Sequence, residues 1–243
     1  MQDPKQLLVD VISLSKVRCK QPIQGDLKYA TCENFVGRII AGYSPEARDV
    51  CLLTHTAAKM LCKVQDYIVS NYHYSLFILD AYRPLRAVKD WATWFKQLPT
   101  DDYELARKKI HYPHLRKDQL AEFGYVADAV SKHCFGATVD LILIDANGQE
   151  LDMGVCFDFF DELAHPTATV EQIGETAIKN RQLLSAAMQR YGYHAYCKEY
   201  WHFDHEKVEA SEPMDIAITS DLRGLGVNTT SHPMAHKQTP AFT

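Results

Sequence analysis

The spacing of apolar side chains predicts helices and strands that alternate irregularly along the chain. In residues 56–70 the apolar side chains recur every three or four positions, as they do on one face of a helix. Residues 74–80 (YSLFILD) and 139–145 (VDLILID) are short, continuous apolar runs typical of buried strands. Asn147-Gly148 follows the second run and favours a two-residue hairpin turn, so the chain should return beside that strand.

Proline, glycine and capping residues mark further boundaries. Pro84 follows the first apolar run and suits the first turn of a helix, which places Arg83 at the junction between a strand and a helix. Thr169 and Gln172 have the spacing of a capping box, and they precede a long helical pattern that ends at Gly192, although Gly174 blurs where this helix begins.

Two aromatic-rich segments, residues 193–196 and 200–203, are the last predicted elements and read as extended chain. This mixture predicts a single α+β domain with an antiparallel β-sheet flanked by helices, which we place at residues 1–208. Residues 209–243 are rich in Thr, Pro, Ser and Gly and show no regular period. They predict a C-terminal extension that either wraps the domain surface or is partly disordered.

The composition excludes several classes of partner. The 243 residues are 47% hydrophobic and carry a formal net charge of −5, so the chain can build a substantial core and offers no basic surface for nucleic acid. No apolar run approaches the roughly 18 residues that a membrane-spanning helix needs. We therefore expect a small-molecule partner, and the composition leaves the oligomeric state open.

The cysteines and the N-terminus predict a cytoplasmic protein. Seven cysteines without a Cys-x-x-Cys pair favour reduced thiols over a disulfide framework. The first twenty residues lack the basic start and the long apolar stretch of a secretory signal. A chain from which a signal had been removed would look much the same, and its location would then be periplasmic.

Two segments carry side chains suited to metal chemistry. SKHCFGATVD contains His133 and Asp140, and EYWH contains Glu199 and His202. A catalytic zinc takes three protein ligands with N and O donors and leaves the fourth position to water. Gly136 permits a turn that would bring the first two side chains to one metal. His133, Asp140 and His202 are therefore a candidate set of ligands.

Each segment taken singly is equally compatible with a structural role. The chain has 11 His residues, so a His followed seven positions later by an Asp is unremarkable. Cys134 neighbours His133 and points the opposite way on an extended chain, which favours a packed thiol over a fourth ligand. His111 and His114, on either side of Pro113, are interpreted as solvated.

Both segments occur together with three further motifs, which begin at Asp26 (DLKYATCENFVG), Asp80 (DAYRPLRAV) and Met153 (MGVCFDFFDE). In this order the motifs resemble the D-alanyl-D-alanine dipeptidases of the vancomycin-resistance type, over about residues 25–205. Those enzymes belong to a zinc peptidase superfamily with the D,D-carboxypeptidases and the hedgehog signalling domain. The resemblance implies a zinc peptidase that hydrolyses a dipeptide of cell-wall metabolism, with zinc in a cleft over the sheet.

The resemblance also implies roles for individual residues. The ligands of one zinc ion match His133, Asp140 and His202. Glu199 matches the general base, Arg83 matches the arginine that stabilises the oxyanion, and Asp158 matches the carboxylate that receives the substrate's ammonium group. The remaining substrate-binding positions match Ser131, Tyr29 and Tyr43.

Two other functions stay open at this point. A D,D-carboxypeptidase would use the same zinc and Glu199 but would need an open cleft for a longer peptide. Asp158 argues against it, because a carboxylate at the amino end selects a free ammonium group. A zinc-stabilised binding module without catalysis would not need a free carboxylate at Glu199, so the pairing of that residue with Arg83 favours an enzyme. These side chains do not distinguish D- from L-residues.

Overall fold

A computed structural model describes residues 3–98 and 101–227. Within them the helices are α1 (Val11–Arg18), α2 (His55–Tyr72), α3 (Leu85–Trp94), α4 (Asp102–His111), α5 (Gln119–Glu122), α6 (Val170–Ile173) and α7 (Glu175–Gln189). The strands are β1 (Leu8–Asp10), β2 (Gln24–Gly25), β3 (Leu52–Thr54), β4 (Ser75–Asp80), β5 (Thr138–Ile144), β6 (Tyr193–Tyr196) and β7 (Glu199–His205). None of the described helices is long and apolar enough to cross a membrane.

The main sheet has five strands in the order β2–β4–β5–β7–β6, and it is antiparallel except where the short β2 runs parallel to β4. β1 and β3 form a separate antiparallel ribbon. β5 lies at the centre with every residue buried, which accounts for its continuous apolar run. Because β4 and β7 pair with β5 on either side, Asp80 and His202 are both register partners of Asp140. This pairing brings distant parts of the chain to one point, and the predicted α+β class is confirmed.

Most of the predicted elements are present, with two differences. α2 covers the helical pattern at residues 56–70, and β4 and β5 match the two apolar runs to within a residue at each end. The predicted long C-terminal helix is two helices, because Gly174 adopts φ 86° and ψ 156°, a conformation through which helical hydrogen bonding cannot continue. After Asn147-Gly148 the chain returns beside β5 as expected, with a bridge between Ile144 and Glu150 and a hydrogen bond from the Leu151 N–H to the Leu143 carbonyl at 2.9 Å, but this pairing is too short to form a second strand.

The chain after β7 runs along the domain as far as residue 227. The backbone N–H of Met214 donates to the carbonyl of Cys134 at 2.9 Å, directly beside His133. Further along, Ile218 forms an isolated parallel bridge with Tyr43. These contacts tie the described part of the extension to the domain, and residues 228–243 lie outside the described residues.

Candidate active site

Three side chains from different elements meet at the centre of the sheet. Asp140 in β5 and His202 in β7 are register partners, and His133 lies in a short 3-10 turn just before β5. Gly136 ends this turn with φ 70°, where an added Cβ atom would lie 2.9 Å from Leu8 Cδ2. A side chain there would strain the turn, so the glycine lets His133 fold back toward Asp140.

The distances within this triad fit a metal ion. His133 Nε2 lies 3.3 Å from Asp140 Oδ2 and 3.2 Å from His202 Nδ1, and His202 Nδ1 lies 3.1 Å from Asp140 Oδ1. Ligand atoms held tetrahedrally at about 2.0–2.2 Å from zinc lie about 3.3–3.6 Å from one another. Asp140 Oδ1 is also buried without a hydrogen-bond partner, a cost that a bound cation would remove. The donors therefore suit zinc.

Hydrogen bonds behind the triad orient both imidazoles. His133 Nδ1 donates to the carbonyl of Ala81 at 2.6 Å, which leaves Nε2 as the acceptor that faces the other two ligands. His202 Nε2 lies 3.3 Å from Asp204 Oδ1, and Asp204 is held in turn by Thr138 Oγ1 at 2.8 Å and by an exposed lysine. Carboxylate and carbonyl partners of this kind fix the tautomer of a metal-binding histidine.

The charges of the triad are strongly coupled. Burial would raise the pKa of Asp140, but the neighbouring His133 and His202 hold it well below its usual range. Burial would likewise lower the pKa of His202, but the neighbouring carboxylates of Asp140 and Asp204 raise it to about 10. The pocket is thus arranged to hold positive charge between these groups, which is the requirement for a cation site.

Glu199 begins β7 and lies beside the triad, with its Oε2 3.5 Å from His202 Nδ1. Residues three apart on a regular strand face opposite sides of the sheet. The pairing with β6 shifts between Ala195 and Tyr196, and this irregularity brings Glu199 and His202 to the same side. Burial, with a contribution from Asp140, raises the pKa of Glu199 to about 8, so its carboxylate has the affinity for protons that a general base needs.

Arg83 lies just after β4 and is fixed from two sides. Its Nε donates to Asp80 Oδ2 at 2.9 Å, and its Nη1 and Nη2 donate to Ser131 Oγ at 3.3 Å and Asp140 Oδ2 at 3.4 Å. Tyr43 donates to the other oxygen of Asp80 at 2.8 Å. Arg83 and Ser131 line the cavity described below, whereas Tyr43 does not and supports Arg83 from behind through Asp80.

Asp158 is a buried carboxylate on the opposite wall. It is 3% exposed, and the hydroxyl of Tyr29 donates to its oxygens at 3.1 and 3.3 Å. No cationic side chain among residues 3–98 and 101–227 forms an ion pair with it. Burial raises its pKa well above the usual value, and the negative charges of Asp140 and Glu199 add to the rise. Such a group is stabilised by a cation brought by the ligand.

A cavity of about 340 Å³ joins these groups. The predicted site residues that line it are Tyr29, Arg83, Ser131, Asp140, Asp158, Glu199 and His202. Aromatic walls come from Phe35, Trp91, Tyr125, Phe160 and Tyr196. Small-molecule sites span about 300–1,000 Å³, so this volume favours a small ligand.

One sequence-based interpretation was wrong, and one supporting residue was missed. His111 is buried, at 5% exposed, instead of solvated, whereas the side chain of His114 is 71% exposed as expected. Asp204, the partner of His202, was not identified. Asp204 follows directly after the predicted extended segment 200–203, and its position two residues after His202 was the available signal, since alternate residues of a strand share a face.

A triad with the donor atoms and spacing for a metal ion, a buried carboxylate beside it and an arginine on one small cavity are the features of a metal-dependent hydrolase. The family model described as D-ala-D-ala dipeptidase matches residues 12–216. The chain therefore belongs to the D-alanyl-D-alanine dipeptidase family of metallopeptidases.

Similar proteins are found in several bacteria. The D-alanyl-D-alanine dipeptidases of Enterococcus faecalis and Streptomyces coelicolor are each 35% identical to this chain over 182 residues, which cover 74% of this chain and 85% of each relative. The enzyme of that name from Enterococcus faecium is 33% identical over the same shares. A solved zinc-bound D,D-pentapeptidase from a vancomycin-resistance cassette is a weak match, with a TM-score of 0.34 and 12% identity over 66% of this chain and 76% of that one.

Proposed function

We propose that this chain is a zinc-dependent dipeptidase that hydrolyses free D-alanyl-D-alanine to two alanines. The observation that carries the proposal is one cavity lined by Asp140 and His202 of the metal-ligand set together with Glu199 and the buried carboxylate of Asp158. The names of the relatives support the substrate, since all three are D-alanyl-D-alanine dipeptidases.

The proposed metal is one zinc ion per chain, held by His133, Asp140 and His202. A zinc ion in such a site is a Lewis acid and lowers the pKa of its water to about 7. Glu199 takes the proton of the attacking water as the new C–O bond forms. It then gives that proton to the departing amine as the C–N bond breaks.

Arg83 and Ser131 are assigned to the carbonyl oxygen of the peptide bond that is cleaved. Arg83 is already oriented by Asp80 and Asp140, so its guanidinium need not reorganise as negative charge develops on the carbonyl oxygen. Preorganised donors of this kind contribute a few kcal/mol to transition-state stabilisation. Ser131 Oγ lies 3.3 Å from Arg83 Nη1 and presents a second polar group at the same wall.

Asp158 favours a dipeptidase over a D,D-carboxypeptidase. The amino group of a free dipeptide can meet the Asp158 carboxylate and the hydroxyl of Tyr29, which already face each other. A blocked or longer peptide would leave this carboxylate buried without a cation, which is costly. The position of Glu199 beside His202 likewise favours catalysis over a purely structural zinc site, because a structural site has four protein ligands and no adjacent base.

Hydrolysis of the four stereoisomers of Ala-Ala by the zinc-loaded full chain tests the proposal. We expect D-Ala-D-Ala to be cleaved and L-Ala-L-Ala to be left intact, with Glu199→Gln as the matched variant that binds zinc but lacks turnover. Preferential cleavage of the L,L isomer would overturn the substrate assignment. Equal turnover by wild type and Glu199→Gln, or no cleavage of any isomer, would overturn the mechanism.

The cytoplasm remains the proposed location. This proposal rests on the free state of all seven cysteines, which is typical of a reducing compartment. Fractionation of the source cells tests it, and recovery of the protein with periplasmic markers would contradict it.

A further inference from the structure

Asp158 has a backbone conformation that needs support. Its φ is 59°, in the left-handed region, and within the described residues only one other residue besides glycines shares this property. Asp tolerates this region better than most residues, but the conformation still has an energetic cost and persists only where the surroundings fix it. Its support comes from the side opposite the cavity.

His111, the last residue of α4, binds the Asp158 turn twice. Its Nδ1 donates to the carbonyl of Asp158 at 3.0 Å, and its own carbonyl accepts from the backbone N–H of Phe160 at 2.7 Å. The residue is buried, so water does not compete for these bonds. His111 therefore clamps the backbone on both sides of the turn that carries the ammonium-facing carboxylate.

Arg107 sets the tautomer of His111. A carbonyl accepts only, so Nδ1 must carry the imidazole proton, and Nε2 is left to accept from Arg107 Nη2 at 2.6 Å. Burial and the positive charge of Arg107 lower the pKa of His111 to about 4. The ring is consequently neutral at neutral pH, in the one tautomer that can bind Asp158.

The same arginine reaches the loop that carries Tyr29. Arg107 Nε donates to the carbonyl of Asn34 at 2.8 Å. Asn34 is buried and organises this loop, since its side-chain amide donates to the carbonyls of Thr31 at 2.7 Å and Arg38 at 2.8 Å. Arg107 thus links the loop of Tyr29 to the turn of Asp158, the two parts that face each other across the ammonium site.

We propose that His111 is a positioning residue for recognition of the substrate's ammonium group, because its bonds to Arg107 and to the Asp158 carbonyl hold the Asp158 carboxylate opposite Tyr29. His111 does not itself touch the substrate. The inference rests on the proposed function in one respect, that Asp158 receives the ammonium group.

The test compares His111→Leu, His111→Asn and His111→Gln with wild type on D-Ala-D-Ala. The amide nitrogen of Asn occupies about the position of Nδ1 and can still donate to Asp158, whereas that of Gln corresponds to Nε2 and cannot. His114→Leu is the matched control on the same segment, because its side chain is 71% exposed and its one contact, with Asp161 Oδ2 at 2.8 Å, is open to solvent. Each zinc-loaded variant is measured for zinc content, thermal midpoint, kcat and KM.

A substitution that weakens binding of the ammonium group destabilises the bound substrate and the transition state equally, so KM should rise while kcat stays unchanged. We expect His111→Leu and His111→Gln to raise KM about five- to tenfold, the effect of one lost buried hydrogen bond, with kcat changed by less than about twofold. His111→Asn should recover most of the wild-type KM, and His114→Leu should match wild type. If His111→Leu does not fold, the difference in KM between His111→Asn and His111→Gln still tests the role of His111.

Equal KM values for the Asn and Gln variants, or a fall in kcat without a change in KM, would overturn the role of His111. Measuring Asp158→Asn in parallel distinguishes a failure of the inference about His111 from a failure of the proposed function. If Asp158→Asn loses selectivity for the free dipeptide while His111→Gln keeps the wild-type KM, only the inference about His111 fails. If Asp158→Asn keeps that selectivity, the assignment of the ammonium site fails, and the inference fails with it.

Discussion

Replacing Asp158 by Asn removes a charge from the proposed ammonium site and leaves the shape of the side chain nearly unchanged. Asn adopts the left-handed backbone at least as readily as Asp, so the φ of 59° at this position is preserved. Tyr29 can still donate to the remaining carbonyl oxygen of the side chain. The variant therefore isolates the loss of negative charge.

The expected loss follows from the environment of this carboxylate. A hydrogen bond to a charged group contributes about 1.5–3 kcal/mol, and two unit charges about 4 Å apart attract by about 4 kcal/mol at an effective dielectric constant of 20. The amide oxygen of Asn keeps one hydrogen bond to the ammonium, so we expect a net loss of about 2–3 kcal/mol. This corresponds to about a 30- to 150-fold fall in kcat/KM on D-Ala-D-Ala.

The assay measures release of D-alanine from free and from N-acetylated D-Ala-D-Ala, with the zinc content of each preparation recorded. Wild type should strongly prefer the free dipeptide. In Asp158→Asn, the ratio of kcat/KM on the free dipeptide to kcat/KM on the N-acetylated dipeptide should fall by about 30- to 150-fold. Glu162→Gln, an exposed carboxylate nearby in the chain, is the control and should behave as wild type. An unchanged ratio in Asp158→Asn would refute the reasoning and favour the carboxypeptidase alternative.

Three further predictions concern the metal and the arginine. Glu199→Gln should retain zinc by elemental analysis while kcat falls about 10²- to 10⁴-fold, and His133→Ala should lose the metal; a zinc-free Glu199→Gln would contradict the assigned roles. Asp204→Asn should weaken zinc affinity about 10- to 100-fold in a competition with a chelator, and unaltered affinity would show that the bond to His202 is dispensable. Arg83→Lys should lower kcat about 10²- to 10³-fold with zinc retained, and near-normal turnover would exclude Arg83 as an oxyanion donor.

Much of the fold followed from local patterns. The helical period of α2 and the continuous apolar runs of β4 and β5 reflect burial on one face or on both, and such periods are visible in a short window of sequence. The interruption of the helix at Gly174 was harder to predict from the sequence, because glycine is tolerated within helices and its dihedral angles depend on how the flanking helices pack. The predicted return of the chain at Asn147-Gly148 is present but short, since a turn signal does not determine how far pairing continues.

The candidate site, like the fold, could be predicted from the sequence only where its residues are close together in the chain. His133 and Asp140 lie close in sequence on either side of a glycine, so their convergence could be predicted from the turn between them. His202 reaches the same point only because β7 pairs with β5 in the register that sets it opposite Asp140. Without the family resemblance, that pairing and the place of Asp158 on the facing wall would have remained unknown.

The sequence alone determined the class of fold, the identity of the donor atoms and the sites of sharp turns, because these depend on side-chain chemistry and on neighbouring residues. Only the tertiary structure decided which polar groups are buried together. His111 shows the difference: beside a proline in a polar stretch it reads as solvated, yet the end of α4 packs against the Asp158 turn and encloses it. Burial is a property of the whole packed chain, and a local pattern cannot specify which distant segment will cover a given side chain.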